Sequence, residues 1–176
     1  LDPESRRMAV ELGVVDRCEE DLAVACVGAD VIQLAVPILA MQKLLGALAQ
    51  LPLGDAVLTD VGSAKGNVVR AAALAFGSVP PRFVPGHPIA GSEQSGVEAS
   101  NGQLFRRHKV ILTPLADTDG AALQMVDRLW RELGADVEHM EVEHHDEVLA
   151  ATSHLPHLLA FGLVDSLAKR SENLEI

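Results

Sequence analysis

Short apolar segments that alternate with amphipathic helical segments are the feature that most constrains the fold of this chain. Residues 31–36 and 56–61 are two such apolar segments, and Pro37 ends the first of them. A helical pattern follows each segment. Strands that are apolar along their length are typical of parallel sheets, because helices cover both faces of such sheets. The alternation therefore predicts a parallel α/β sheet.

The same reasoning assigns the other elements up to residue 142. Asp2 and Pro3 are expected to begin a first helix as N-cap and first helical residue, and Gly13 is expected to end it. The predicted helices cover residues 5–12, 38–48, 63–76 and 119–133, and the remaining predicted strands cover residues 82–84, 110–113 and 136–142.

The last part of the chain has a different character. Residues 143–170 are predicted to form one long helix that is apolar on nearly all sides between Val148 and Leu167. Such a helix needs more than one neighbour to bury it. We therefore divide the chain into an α/β domain, residues 1–142, and the first helix of a helical domain, residues 143–176. Further helices, a partner subunit or both are expected to cover that helix.

The acidic composition argues against polyanionic partners. The formal net charge is −11, which disfavours binding to nucleic acid and to anionic membranes. Aromatic residues make up 3% and tyrosine is absent, so platforms for base stacking are not expected. No apolar run approaches the ~20 residues of a membrane span, and Cys18 and Cys26 lack the spacing of a metal site. We expect a cytoplasmic protein with two reduced thiols and no membrane contact.

Three loops occupy the positions where open parallel sheets bind ligands, beyond the carboxyl ends of the strands. They are residues 35–38, 59–65 and 86–91. In the second loop, Gly62 permits close approach of a ligand to the backbone, and Ser63 begins a helix whose free N–H groups suit a phosphate or a carboxylate. The alternative is that Ser63 is only the N-cap of that helix.

His87 in the third loop is the strongest single candidate for chemistry. It lies between Gly86 and Pro88, in a fixed loop of the kind where catalytic groups concentrate. An imidazole in such a place is suited to act as a general base near neutral pH. Without further context, a purely structural role is the alternative for a loop histidine.

The histidines of the last helix are spaced in a way that argues against a metal site. His145 and His154 are nine residues apart, on opposite faces of a straight helix, and no cysteine lies nearby. His154 and His157 share a face and are expected to line a polar pocket or to face solvent. Pro156 is expected to kink this helix.

Taken together, these residues resemble the prephenate/arogenate dehydrogenase family over essentially the whole chain. The resemblance rests on four segments in a fixed order: DVGSAK at 60–65, GHPIAGSEQSG at 86–96, VILTP at 110–114 and TSHLPH at 152–157. It implies a Rossmann-like fold with a doubly wound, mostly parallel sheet. The start of an all-helical dimerisation domain would follow.

The resemblance also implies a role for each matched position. His87 would accept a hydrogen bond, and then the proton, from the ring hydroxyl of the substrate, and Ser63 would orient this histidine. The substrate pocket would include Ser92, Glu93, Ser153, His154 and His157. The nucleotide would lie along Ala35, Val36, Pro37, Thr59 and Asp60, with Lys65 nearby.

The implied activity is oxidative decarboxylation of prephenate, arogenate or both in tyrosine biosynthesis, by a homodimer that uses NAD or NADP and no metal. The family's glycine-rich turn is expected before Leu1 and more of the helical domain after Ile176, so this chain alone is expected to be inactive. Two alternatives stay open. One is a β-hydroxyacid-type Rossmann dehydrogenase, and the other is a non-catalytic module that senses tyrosine or another ligand.

Overall fold

The computed structural model describes residues 2–91, 94 and 96–171 as alternating strands and helices. The strands are β1 (Val31–Leu34), β2 (Val57–Asp60), β3 (Phe83–Val84), β4 (Gly86–Pro88), β5 (Lys109–Leu112) and β6 (Asp136–His139). The α-helices are α1 (Pro3–Glu11), α2 (Leu22–Cys26), α3 (Ile38–Leu48), α4 (Lys65–Phe76), α5 (Gly120–Glu132), α6 (Val142–Leu149) and α7 (Leu155–Ser171). A 3-10 turn covers Val97–Ala99 and a π-helical turn covers Ala150–His154.

The strands form two adjoining three-stranded arrays. In the first, β1, β2 and β3 are parallel in that order, with Val31 opposite Val57. In the second, β5 lies between β4 and β6, antiparallel to β4 and parallel to β6. The amide of Thr113 donates to the carbonyl of Pro85 at 2.9 Å, so the chain after β5 runs beside the residue that joins β3 to β4. The predicted mostly parallel α/β fold is confirmed.

β4 corrects the sequence-based prediction that residues 86–91 form a loop. The first three of these residues pair with β5, and His87 lies opposite Ile111. A strand of three residues that follows Pro85 and ends with Pro88 is too short to show a period of two. This strand therefore exists because tertiary contacts supply its partner.

Helices cover both faces of the sheet. Val57 and Leu58 are consecutive in β2, and they belong to different apolar clusters because successive strand residues point to opposite faces. The cluster around Leu58 contains buried residues of α3 and α4, and the cluster around Val57 contains those of α5, including Trp130. This arrangement agrees with the predicted doubly wound fold.

A buried ion pair joins the end of β2 to the start of α4. Nζ of Lys65 lies 2.5 Å from Oδ2 of Asp60 and 2.5 Å from the carbonyl oxygen of Gly86, and both charged side chains are fully buried. The amides of Gly62 and Gly86 also donate to the carboxylate, at 2.8 and 3.2 Å. Burial raises the pKa of Asp60 and lowers the pKa of Lys65, while their mutual attraction opposes both shifts. The pair fixes β2, α4 and β4 to one another.

The predicted C-terminal helix is observed as a helical stretch without a break, in which the π-helical turn joins α6 to α7. Pro156 follows this turn and has no backbone N–H, which accounts for the local change in hydrogen-bond spacing. α6 packs against α4. α7 exposes its large apolar residues: Leu155, Leu158, Leu159, Phe161, Leu163, Val164 and Leu167.

The helical stretch Val142–Lys169, with a mean hydropathy of 1.2, is long and apolar enough to cross a membrane by length and composition alone. The sequence predicts the same stretch as a long apolar helix of a helical domain and not as a membrane span, because charged and polar residues interrupt its apolar runs. A helix from the interior of a helical domain passes the same test, because both kinds of helix are apolar on most sides.

We expect Lys65→Met to lower the free energy of unfolding by about 3–5 kcal/mol, because it leaves the Asp60 carboxylate buried without its partner. The matched control is Lys109→Met, which removes an exposed lysine from its pairs with Asp136 and Glu138. That change should cost less than about 1 kcal/mol. Urea denaturation followed by circular dichroism measures both values. Equal losses in the two variants would show that the buried pair adds no special stability.

Candidate active site

His87 is the middle residue of β4, and the pairing of this strand fixes its position. A glycine precedes it because β4 approaches β2 closely: a Cβ at Gly86 would lie 3.1 Å from the carbonyl oxygen of Asp60. The carbonyl of Gly86 is itself held by Lys65. The backbone that carries His87 is therefore held by Lys65 and Asp60 on one side and by the pairing with β5 on the other. The imidazole itself is half-buried.

A second histidine, which comes from α6, contacts the ring of His87. Nδ1 of His87 lies 2.9 Å from Nε2 of His145, and the two rings meet edge to face with centroids 5.1 Å apart. His145 is fully buried. Its other ring nitrogen, Nδ1, lies 2.8 Å from Oδ1 of Asp146. His87, His145 and Asp146 thus form a continuous chain of hydrogen bonds.

Asp146 also binds the N-terminus of α4. Its Oδ1 and Oδ2 accept hydrogen bonds from the amides of Lys65 (2.8 Å) and Gly66 (2.9 Å). The first N–H groups of a helix have no acceptor within the helix and lie at the positive end of its dipole, so a carboxylate is favourable here. A Cβ at Gly66 would lie 3.0 Å from Oδ2 of Asp146. The glycine therefore leaves room for the carboxylate.

This contact corrects the expected start of α4. The sequence analysis begins the helix at Ser63, whereas Ala64 is the N-cap residue and Lys65 the first helical residue. The first two amides of the helix face Asp146, so a side chain of the protein itself occupies the place considered for a phosphate. Gly62 lies in a crowded position, since a Cβ there would lie 2.7 Å from Cδ1 of Ile38 and 3.0 Å from Oδ2 of Asp60. Ser63 is exposed, and its contact with a substrate stays a prediction.

Burial is the main reason that the pKa of His87 falls from 6.5 to about 4. The charged forms of His145, Lys65 and His154 lower this pKa further, while Asp146 opposes the shift. Burial likewise lowers the pKa of His145. Burial acts to raise the pKa of Asp146, but hydrogen bonds from the α4 amides and from His145 outweigh it and hold that pKa below its ordinary value. At neutral pH the hydrogen-bonded chain of His87, His145 and Asp146 therefore consists of two neutral imidazoles and one carboxylate.

The predicted substrate-pocket residues have different positions. His154, the last residue of the π-helical turn, lies near enough to His87 to lower its pKa. Ser153 is half-buried in the same turn, and His157 is exposed in α7. Ser92 and Glu93 lie outside the described residues. Within residues 2–91, 94 and 96–171, no group of three or more His, Cys, Asp or Glu side chains is arranged to hold a metal ion.

The predicted nucleotide-binding residues form an exposed set and a buried set. After β1, Ala35 and Pro37 are exposed and Val36 is partly buried, so this segment presents backbone and small side chains to a ligand. The residues at the end of β2 and the start of α4 are fully buried: Thr59, Asp60 and Lys65. The aspartate and the lysine bind each other in this structure, so the segment after β1 is the accessible part of the predicted nucleotide-binding set.

His145 and Asp146 are candidate functional residues that are absent from the sequence-based predictions, which name His145 only to argue against a metal site. Val142, His145 and Leu149 recur at helical spacing and are all buried. A histidine on the apolar face of a helix, followed by an aspartate, is therefore the available signal. Its partner His87 lies 58 residues earlier in the sequence, beyond the reach of any local pattern.

Comparison with known proteins agrees with this architecture. The chain matches the family described as prephenate dehydrogenase, nucleotide-binding domain, over residues 1–139. It matches the prephenate dehydrogenase dimerization domain over residues 141–176. A cyclohexadienyl dehydrogenase from Zymomonas mobilis is 38% identical over 170 residues, which are 94% of this chain and 56% of that protein.

Two solved structures extend the comparison. The crystal structure of prephenate dehydrogenase from Aquifex aeolicus in complex with hydroxyphenyl propionate and NAD+ has a TM-score of 0.86 and 41% identity, and the alignment covers 96% of this chain and 58% of that one. Arogenate dehydrogenase from Synechocystis has a TM-score of 0.80 and 28% identity, with 95% and 58% covered. The chain spans about half the length of the curated relatives it matches.

The pKa of His87 predicts how stability depends on pH. The unfolded histidine titrates near 6.5 and the folded one near 4, so between these values the unfolded state binds the additional proton. Stability should therefore fall as the pH is lowered through this window. His87→Gln should reduce that fall, and the control His108→Gln, which changes an exposed ring, should not.

Urea denaturation of the three proteins at about pH 7 and about pH 5 measures this difference. The same loss of unfolding free energy in wild type and His87→Gln would contradict the assigned environment of His87.

Proposed function

The chain belongs to the prephenate dehydrogenase family, and we propose that the full-length protein oxidatively decarboxylates prephenate, arogenate or both with hydride transfer to NAD or NADP. The proposed reaction belongs to tyrosine biosynthesis. One observation carries the proposal: the neutral, half-buried imidazole of His87 has Nδ1 held by His145, and its Nε2 has no protein partner among the described residues.

His87 is assigned as hydrogen-bond acceptor and base for the ring hydroxyl of the substrate. A pKa of about 4 keeps the ring neutral at physiological pH, so the lone pair of Nε2 is available. Such a ring is a weak base, and its main contribution is a hydrogen bond that strengthens as negative charge develops on the hydroxyl oxygen. Stabilisation that grows towards the transition state accelerates the chemical step.

The proposed reaction moves one proton, one hydride and one carboxylate group of the substrate. As the hydroxyl proton shifts towards Nε2 of His87, the carbon that bears the hydroxyl releases its hydrogen as hydride. The ring carboxylate leaves as CO₂, and the electrons of that C–C bond complete the aromatic ring. The phenol oxygen takes the proton back, and loss of CO₂ makes the step practically irreversible. The nicotinamide nucleotide, when bound, supplies the hydride acceptor.

The residues around His87 are assigned to substrate binding. Ser63 is proposed to orient His87 and to contact the substrate, and the pocket is proposed to include Ser92, Glu93, Ser153, His154 and His157. The position of His154 close to His87 supports this assignment for the π-helical turn. π-helical turns are frequent at functional sites, because the extra residue changes the direction of the side chains that follow.

The cofactor assignment rests on the exposed segment after β1. Ala35, Val36 and Pro37 end a strand of a parallel sheet, which is where such folds bind nucleotides. The family match to a nucleotide-binding domain supports this position. Thr59, Asp60 and Lys65 are assigned a supporting role, since they are buried and Asp60 pairs with Leu34, the residue before that segment. The choice between NAD and NADP is left to the assay below.

The full-length protein is also proposed to be a cytoplasmic homodimer. We place the boundary between the nucleotide-binding domain and the dimerisation domain after residue 142, and we assign the exposed apolar residues of α7 to helix–helix contacts. The charged residues Asp165 and Lys169 share one face of α7 and form an ion pair, whereas Leu163 and Leu167 lie on the opposite face. We therefore propose that the face with Leu163 and Leu167 packs against other helices of the dimer.

Absorbance at 340 nm with the full-length protein tests the reaction, using prephenate and arogenate, each with NAD and with NADP. We expect turnover with at least one pair. His87→Asn should lower kcat by about 10²–10⁴-fold with little change in KM, because the lost hydrogen bond acts mainly in the transition state. The matched control His108→Asn should retain wild-type kcat. Unchanged turnover in His87→Asn would remove His87 from the mechanism, and cofactor binding without turnover would favour a ligand-sensing role.

The dimer is tested by sedimentation of full-length variants of α7. Leu163→Glu places a charge on the apolar face and should shift the protein towards monomer, whereas the control Lys169→Glu, on the face that carries Asp165, should leave the dimer intact. A stable dimer in Leu163→Glu at unchanged thermal midpoint would assign the interface elsewhere.

A further inference from the structure

We propose that His145 and Asp146 are positioning residues which determine that His87 carries its proton on Nδ1, so that Nε2 is left as the acceptor facing the substrate. This inference rests on the proposed function, because it explains how His87 becomes able to accept a hydrogen bond there. It adds two residues that act through His87 without touching the reacting atoms.

Asp146 is the end of the hydrogen-bonded chain whose role as acceptor is unambiguous. An ionised carboxylate has no hydrogen to donate and only accepts hydrogen bonds. Its oxygens receive the amides of Lys65 and Gly66, which lie 80 to 81 residues away in sequence. These backbone groups are donors in every protonation state. Asp146 is therefore held as an acceptor whatever the imidazoles do.

The protons of both rings follow from this fixed end. Nδ1 of His145 lies 2.8 Å from Asp146, so it must be the protonated nitrogen of that ring. A neutral imidazole carries one N–H, which leaves Nε2 of His145 as an acceptor. Nδ1 of His87, at 2.9 Å, must then donate to it. Nε2 of His87 consequently has a free lone pair.

The opposite arrangement would disable the site. If His87 carried its proton on Nε2, it would present a donor to the substrate hydroxyl and could not take its proton. Two unprotonated nitrogens would also face each other between His87 and His145. When Nε2 accepts a proton, the resulting cation has His145 as acceptor and the Asp146 carboxylate one ring further away. The same chain thus holds the acceptor form and stabilises the charge that develops.

The hydrogen-bonded chain from His87 to Asp146 connects the segments that match the two family domains. His87 lies in the segment that matches the nucleotide-binding domain, whereas His145 and Asp146 lie in the segment that matches the dimerization domain. The docking contact is the carboxylate of Asp146 on the first amides of α4, and Gly66 leaves the space it needs. The acceptor on His87 is therefore competent only when α6 is docked on α4.

Nitrogen-15 NMR of histidine-labelled full-length protein reads the proton position directly, with the His87 signals assigned by comparison with His87→Asn. In wild type we expect the Nδ1–H form of His87. His145→Phe keeps an aromatic ring in place and leaves Asp146 on α4, but removes the acceptor. His87 should then populate the Nε2–H form, and kcat should fall about 10²-fold, at the low end of what a general base contributes, with little change in KM.

Asp146→Asn tests the other end of the hydrogen-bonded chain. Its amide nitrogen can donate to Nδ1 of His145, which would move the proton of each imidazole to its other nitrogen and lower kcat. Asp146→Glu, which restores a carboxylate, should recover part of the lost kcat, and Asp136→Asn is the control on an exposed aspartate. Thermal midpoints identify any variant that fails to fold. If the Asp146 variants do not fold, the result for His145→Phe decides whether the positioning role holds.

The two levels of the proposal fail separately. An Nε2–H form of His87 in the folded wild type would overturn the positioning role even if the protein is an active dehydrogenase. Unchanged His87 signals and unchanged kcat in folded His145→Phe would overturn it as well. An inactive wild type that shows the Nδ1–H form, lost in His145→Phe, would support the positioning role and contradict only the proposed reaction.

Discussion

The ion pair between Lys65 and Asp60 is the contact on which the geometry of the site depends. It is fully buried, and its lysine also binds the carbonyl oxygen of Gly86, one residue before His87. Two charges removed from water are tolerated only when they are paired and their remaining hydrogen-bonding capacity is used. The end of β2, the start of α4 and the start of β4 must therefore stay together, and this constraint fixes the backbone of His87.

A second carboxylate extends that fixed centre into the C-terminal helix. Asp60 neutralises the side chain of Lys65, and Asp146 binds its backbone amide. Both contacts use the start of α4, so one short segment organises the sheet edge and also receives α6. The site is thereby rigid beneath His87. On the side of the π-helical turn and α7 lie three of the predicted substrate residues, Ser153, His154 and His157.

Much of the fold could be predicted from the sequence, and the site only in part. His87 was identified from its place between a glycine and a proline, and His154 from its spacing, and the structure brings these two residues close together. His145 and Asp146 were missed, because a single histidine on an apolar helix face gives no sign of what it will meet. Ser63 was expected to begin α4, but the carboxylate of Asp146 takes over the role of the capping side chain.

The sequence by itself determined the alternation of strands and helices, the position of His87 near a strand end, and the ordered motifs that carry the family resemblance. These follow from neighbouring residues, since the period of apolar side chains records which face of an element is buried. Tertiary structure alone decided the antiparallel strand β4, the burial of Lys65, and the hydrogen-bonded chain from Asp146 to His87. Each of these depends on a partner tens of residues away, and the energy of a buried polar group is set by the partner that docking supplies.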